Sequence, residues 1–223
     1  MIYKVCGMRE ADNIREVEGL RVGDGTSGMA QGIDLMGFIF WPKSKRYVAE
    51  PPSYLPERAK KVGVFVDASL EDICQHIEDY HLDLIQLHGH ETPEFITQLS
   101  PLTSHLSTIK AFNIATAEDL KQTKPYEGIV DYFLFDTRKP PEETGGWHPP
   151  GGTGEKFDWG VLHAYHGQTP FLLSGGIGPD DAERVREFHH PRCVGFDLNS
   201  RFELAPALKD VNQLKDFLKK VKI

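Results

Sequence analysis

Phe171-Leu-Leu-Ser-Gly-Gly-Ile-Gly-Pro-Asp180 is a short apolar run that breaks into glycines and then offers proline and aspartate, the residues that open helices. A run this uniformly apolar has no wet face, so it reads as a strand of a parallel sheet covered by helices on both sides. The glycines after it let backbone N–H groups approach an anion closely. A second stretch, Val194-Gly-Phe-Asp-Leu-Asn-Ser200, repeats the theme, with a short apolar run ending in small polar residues.

Outward from these two, the same alternation fills the chain. Further strand-like runs are Ile2–Val5, Leu35–Phe40, Val62–Val66, Leu84–Leu87, Thr108–Phe112 and Tyr132–Phe135. Between them lie segments with helix-start chemistry: Ser69-Leu-Glu-Asp72 and Thr116-Ala-Glu-Asp119 resemble capping boxes, Thr92-Pro93 places proline at a first helical position, and Asp180 is a candidate cap for a helix through Phe188. From Leu208 to Val221, Leu208, Val211, Leu214, Leu218 and Val221 recur at spacings of three and four, giving one apolar stripe. Eight strand-like runs, each followed by a helix-like one at roughly 25 to 30 residues per unit, match an α/β fold of the (β/α)8 TIM-barrel type, a single domain over residues 1–223. A doubly wound open sheet has the same periodicity, so the residues at the strand exits must decide.

Composition narrows the function. With 33 acidic and 25 basic side chains in 223 residues the formal charge is −8, which argues against non-specific nucleic-acid binding. No stretch approaches the roughly 20 apolar residues of a membrane helix, and Met1 leads straight into Ile-Tyr-Lys-Val-Cys6, so a cytoplasmic protein is expected. Cys6, Cys74 and Cys193 are far apart and odd in number, fitting neither a disulfide framework nor a CxxC metal site. Two stretches break the rhythm as loops, Arg21–Gly32 and Lys139–Gly154. The first holds Gly23-Asp-Gly-Thr-Ser-Gly28, formally G-x-G-x-x-G, but no strand precedes it and no helix follows, so it reads as a surface insertion.

In parallel α/β folds reactive side chains gather where strands end. Gly175 and Gly176 after the seventh strand, with Asn199 and Ser200 after the eighth, form a candidate phosphate cradle, over which Gly151-Gly-Thr-Gly154 could close; the competing reading is tight turns alone. Cys74 and Cys193 read as inert core thiols. Cys6 sits at a strand exit, followed by glycine and ahead of a helix whose dipole could lower a thiol pKa from about 8.5. Asp136 ends the apolar strand Tyr132–Phe135 and is either a satisfied structural carboxylate or an acid working against Cys6 as base. Arg46 offers a two-donor fork for a carboxylate or phosphate, or is a solvated loop charge; His88 is a core histidine or a substrate contact.

Taken together, Lys4-Val-Cys-Gly7, Gly37-Phe-Ile-Phe-Trp-Pro-Lys-Ser-Lys-Arg-Tyr-Val48, Val62-Gly-Val-Phe-Val66, Gln86-Leu-His-Gly89, Asp136-Thr137, Gly151-Gly-Thr-Gly-Glu-Lys-Phe-Asp-Trp159, Ser174-Gly-Gly-Ile177 and Asp197-Leu-Asn-Ser200 resemble the phosphoribosylanthranilate isomerase family, in family order and across nearly the whole chain. The resemblance implies a (β/α)8 barrel that performs an Amadori rearrangement in tryptophan biosynthesis with no metal or organic cofactor. It implies Cys6 as general base, Asp136 as general acid, Arg46 on the anthranilate carboxylate, and Gly175, Gly176 and Ser200 in the phosphate loops; His88 and Asn199, read from the strand exits, are further candidate substrate contacts. It also implies a small phosphoribosyl substrate as partner; from charge and hydropathy no nucleic acid or membrane is expected, and the chain is expected as a monomer or homodimer. The chain departs from the family pattern with Lys45 in place of proline, with Met8-Arg9 after Cys6-Gly7, and with Arg201 in place of glycine after Ser200. Two other readings compete. A histidine-biosynthesis aminoaldose isomerase would show two half-barrels and paired aspartates, and a silent phosphosugar-binding barrel would have lost its acid or base.

Overall fold

The computed structural model describes residues 1–22, 32–137 and 158–221. Eight parallel strands, β1 Ile2–Cys6, β2 Leu35–Ile39, β3 Lys60–Phe65, β4 Leu84–Leu87, β5 Ser107–Ile114, β6 Tyr132–Thr137, β7 Phe171–Ser174 and β8 Cys193–Leu198, each pair with the next. Because β8 also pairs with β1, the sheet closes into a barrel and the open doubly wound alternative falls.

Two apolar cores explain why the strands lack a wet face. Alternate strand residues, among them Cys6, Leu35, Val62, Val64, Leu84, Ile109, Ala111, Leu134 and Leu172, meet inside the barrel. The residues between them, such as Tyr3, Val5, Met36, Phe38, Phe65, Phe133, Phe135, Phe171 and Phe196, join a larger cluster with the helices outside. The period-two alternation of a strand therefore separates two buried faces here. Each fully buried phenylalanine contributes about 2–3 kcal/mol of transfer free energy to the outer layer.

The helices are α1 Ala11–Glu18, α2 Leu70–Tyr80, α3 Pro93–Leu99, α4 Ala182–Glu187 and α5 Val211–Val221. Ser69 caps α2, its hydroxyl accepting from Asp72 N at 3.1 Å, and Thr92 caps α3 by accepting from Phe95 N at 3.3 Å, with Pro93 in the first turn. Elsewhere the sequence reading needs correction. Thr116 and Asp119 do form a capping box, but Ala117–Tyr126 is a 3-10 helix with Pro125 inside it, not an α-helix. Asp180 lies in the 3-10 turn Pro179–Asp181, and α4 ends at Glu187. Leu208 belongs to a small antiparallel hairpin, β9 Glu203–Ala205 with β10 Leu208–Lys209, and α5 begins only after Asp210, whose carboxylate accepts from Asn212 N and Gln213 N. Between β2 and β3 the described residues hold turns and no helix. Pro51, Pro52 and Pro56 in that stretch account for it, since they withhold backbone donors and restrain the residues before them.

The Gly23–Gly28 motif and the whole Lys139–Gly154 loop, including the Gly151–Gly154 run, lie outside the described residues. No helix among the described residues is long and apolar enough to cross a membrane.

Candidate active site

β1, β6, β7 and β8 run one to two residues beyond their apolar runs, so Cys6, Asp136, Thr137, Ser174 and Asp197 are strand residues held by the barrel ladder. Register brings them to one end. Asp136 pairs with Ser174, the Ser174 hydroxyl donates to Asp197 Oδ2 at 3.1 Å, Asp197 pairs with Lys4, and Cys6 lies two residues beyond Lys4 on the same inward-facing side. Because all eight strands are parallel, this end is the carboxyl end of the barrel, where loops leave room for ligands.

A pocket at this end is lined by Asp136, Ser174, Asp197 and the backbone-rich pair of exits Gly175–Ile177 and Asn199–Ser200. The proposed cradle residues thus do meet. Gly175 and Gly176 both have left-handed backbone, φ 94° and 67°, and a Cβ at Gly175 would stand 2.3 Å from Thr137 O. Thr137 secures that turn, its hydroxyl donating to Ser174 O at 2.9 Å. Gly178 contributes less than its position in the run suggests, because its N–H already donates to the fully buried Asp181 carboxylate at 2.9 Å. Arg201 bends back over the loop, and a Cβ at Gly178 would meet its Nε at 2.7 Å.

Cys6 is buried, and Gly37 leaves room for its sulfur. A Cβ at Gly37 on β2 would lie 2.8 Å from Cys6 Sγ. The expected lowering of the thiol pKa does not occur: burial pushes the Cys6 thiol up, the Lys4 ammonium pulls it down, Asp197 pushes it up again and Lys209 pulls it down. Cys74 and Cys193 are only partly buried rather than sealed core thiols, and the more enclosed Cys193 is pushed up to about 11 by burial.

Arg46 is not a solvated loop charge. Its Nε lies 2.8 Å and 3.0 Å from the two Glu203 carboxylate oxygens and its Nη2 lies 2.6 Å from one of them. Glu203 also accepts from Lys209 Nζ, which donates in addition to Asn199 Oδ1 at 2.8 Å. Lys209 is pinned through its backbone, where Asn13 of α1 exchanges hydrogen bonds of 2.8 Å and 2.9 Å with it. Burial disfavours the Glu203 charge, but Arg46 and Lys209 outweigh it and hold the carboxyl below its ordinary 4.5. Gly7, with φ 77°, lets Arg46 and Asn199 close over the β1 exit, since a Cβ there would come within 2.6 Å of Arg46 Cδ and 3.0 Å of Asn199 Oδ1.

His88 is a rim residue rather than a core histidine. Its Nε2 stands 3.8 Å from Asp136 Oδ2, too far for a hydrogen bond, and its Nδ1 lies 3.1 Å from Gln86 Nε2. The residues that sequence reasoning missed, Lys4, Gly37, Glu203 and Lys209, all act across the fold. Only Lys4 carried a local hint, being a lysine in the middle of an apolar strand.

Comparison with known proteins agrees with this geometry. Residues 16–220 match the family model described as N-(5'phosphoribosyl)anthranilate (PRA) isomerase. The N-(5'-phosphoribosyl)anthranilate isomerase of Parabacteroides distasonis is 48% identical over 227 residues, covering 99% of this chain and 93% of the relative; that of Phocaeicola vulgatus is 46% identical over 222 residues, covering 100% and 98%. The crystal structure of phosphoribosyl anthranilate isomerase from Thermotoga maritima superposes with a TM-score of 0.75 at 27% identity, covering 100% of this chain and 99% of that one. A phosphoribosyl anthranilate isomerase in complex with reduced 1-(o-carboxyphenylamino)-1-deoxyribulose 5-phosphate superposes with a TM-score of 0.71 at 25% identity, covering 100% and 99%. A closed eight-stranded barrel, a cysteine and an aspartate at one mouth, and relatives matched end to end leave one assignment: the chain belongs to the N-(5'-phosphoribosyl)anthranilate isomerase family.

Proposed function

We propose that Cys6 and Asp136 are the base and acid with which this chain converts N-(5-phosphoribosyl)anthranilate to 1-(2-carboxyphenylamino)-1-deoxyribulose 5-phosphate, the isomerisation that its family performs in tryptophan biosynthesis. The observation that carries the reading is the shared mouth. Cys6 and Asp136 face inward at the carboxyl ends of β1 and β6, and Asp136 borders the glycine-lined pocket suited to a phosphate.

The chemistry follows from the positions. The phosphate seated against Gly175, Gly176 and Ser200 fixes the sugar, so that its ring oxygen can face Asp136. Asp136 delivers a proton to that oxygen while the anthranilate nitrogen pushes its electron pair into C1, which breaks the C1–O bond and leaves an iminium. The iminium acidifies the hydrogen on C2, which the Cys6 thiolate removes to give an enolamine. Loss of the enol proton and protonation of C1 then yield the ketone. Atoms balance without any external reactant, and the cationic imine is itself the electron sink.

Arg46 is the group we assign to the anthranilate carboxylate. Glu203 occupies Nε and Nη2, and thereby orients the fork and leaves Nη1 as the donor for an incoming anion. The paired-aspartate mechanism of an aminoaldose isomerase finds less support, since β1 ends in a thiol.

The test is turnover followed by loss of anthranilate-type fluorescence from freshly made substrate. Cys6→Ala and Asp136→Asn are each expected to lower kcat at least about 100-fold while affinity for inorganic phosphate is kept. Full turnover in either variant would overturn the role given to that residue.

A further inference from the structure

Two residues before Cys6 on β1, Lys4 points into the same barrel interior and is fully buried. Its Nζ lies 2.8 Å from Asp197 Oδ1, and Cys6, two positions further along the strand, faces the same interior. The reaction steps above make no use of it. A buried ammonium carries a desolvation cost of several kcal/mol, and a hydrophobic side chain in a barrel interior would fill the same space without that cost. The pair therefore calls for a reason other than packing.

We propose that Lys4 is a positioning residue that favours the thiolate form of Cys6 against the opposing effect of burial, with Asp197 as the counterweight that limits it. The proposal deepens the reading of Cys6 as the base and rests on it. Among the described residues, the charged groups beside the sulfur are Lys4 on β1, Asp197 on β8, Lys209 on β10 and Arg46 after β2, and Glu203 on β9 is bound to the last two. On β2, Gly37 stands beside the sulfur without a side chain. Three cations against two carboxylates leave one positive charge unmatched, and a thiolate is the anion that completes the set. Lys4 is the nearest source of that charge along the strand. Asp197 shares it and is tied in turn to Ser174 at 3.1 Å. Burial presses on Lys4 to lose its proton, but Asp197 and Cys6 more than offset this and keep the ammonium charged.

The two partners must then move the thiol in opposite directions, which a merely structural role would not do. The experiment measures the rate of alkylation of Cys6 by iodoacetamide as a function of pH, read peptide by peptide by mass spectrometry in the full chain, with Cys74 and Cys193 as internal controls. Lys4→Met is expected to raise the midpoint for Cys6 by about one pH unit or more, and Asp197→Asn to lower it, with the control midpoints unchanged. The acid limb of the pH profile of kcat/KM should follow each shift. Unchanged midpoints, or shifts in the same direction, would overturn the proposal. If Lys4→Met fails to fold, Asp197→Asn decides alone, a downward shift supporting the proposal and any other result overturning it. Alkylation reads thiol ionisation whether or not the thiol is the base, so failure here is distinguishable from failure of the Cys6→Ala turnover test.

Discussion

The Arg46 guanidinium holds the Glu203 carboxylate in a two-nitrogen grip, with contacts of 2.6 Å, 2.8 Å and 3.0 Å, across 157 positions of sequence. The grip joins the loop after β2 to the hairpin after β8 on either side of the β1 exit, where Cys6 lies. With Lys209 as a second cation on the same carboxylate, the cluster fixes the rim against which the aromatic end of the substrate is expected to rest.

Glu203→Gln leaves Arg46 and Lys209 facing a neutral amide in a mostly buried setting. The expected cost is about 3 kcal/mol of unfolding free energy, measured by urea denaturation at neutral pH. The folded Glu203 carboxyl titrates below its ordinary 4.5, so its stabilisation is complete above that value and is lost as pH falls through the lower folded value. The variant should lack this acid-sensitive part of the stability curve. A loss below about 1 kcal/mol would show that the grip is surface decoration.

On the proposed assignment, Arg46→Ala removes a donor that would bind the substrate carboxylate equally before and during reaction. KM should rise about tenfold or more with kcat little changed. An unchanged KM would remove Arg46 from the binding site.

Gly37→Ala tests how tightly the sulfur is placed. The added methyl would stand 2.8 Å from Cys6 Sγ, so the thiol must shift by several tenths of an ångström. The expected result is a fall in kcat of roughly 10- to 100-fold, with phosphate affinity retained. Wild-type kcat would show that the sulfur has slack.

Arg201→Gly restores the family's usual residue at the proposed phosphate loop. Because the Arg201 side chain lies against Gly178, its guanidinium should add to the attraction for the phosphate, and its loss should weaken binding of inorganic phosphate about tenfold by calorimetry. Equal affinity in the two proteins would confine Arg201 to packing.

Much of this was legible in sequence because a barrel strand hides both faces. The apolar runs around Phe133 and Phe171 gave strand positions, and the abrupt change to Asp136 or to Gly175 marked where each strand meets the rim. Local chemistry gave the caps at Ser69 and Thr92. The stripe from Leu208 misled because Leu208 shares the helical spacing by chance: Ala207, with φ 68°, turns the chain so that Leu208 pairs with Ala205 in a hairpin. The direction of the Cys6 shift was read wrongly from the neighbouring helix, because burial is the larger influence. The partners of Arg46 and of Lys4, the latter 193 positions away at Asp197, were invisible because nothing local in a sequence encodes contacts made by closing a barrel.

The proposed chemistry requires one sulfur and one carboxyl to flank one sugar. The most direct measurement is a crystal structure of this chain with the reduced product analogue bound. Cys6 Sγ is expected within about 3.5 Å of the ligand's C2, and an Asp136 carboxyl oxygen within hydrogen-bond distance, about 3 Å, of the oxygen that leaves the ring. A ligand seated with its phosphate on Gly175 and Gly176 but with either group several ångströms out of reach would contradict it.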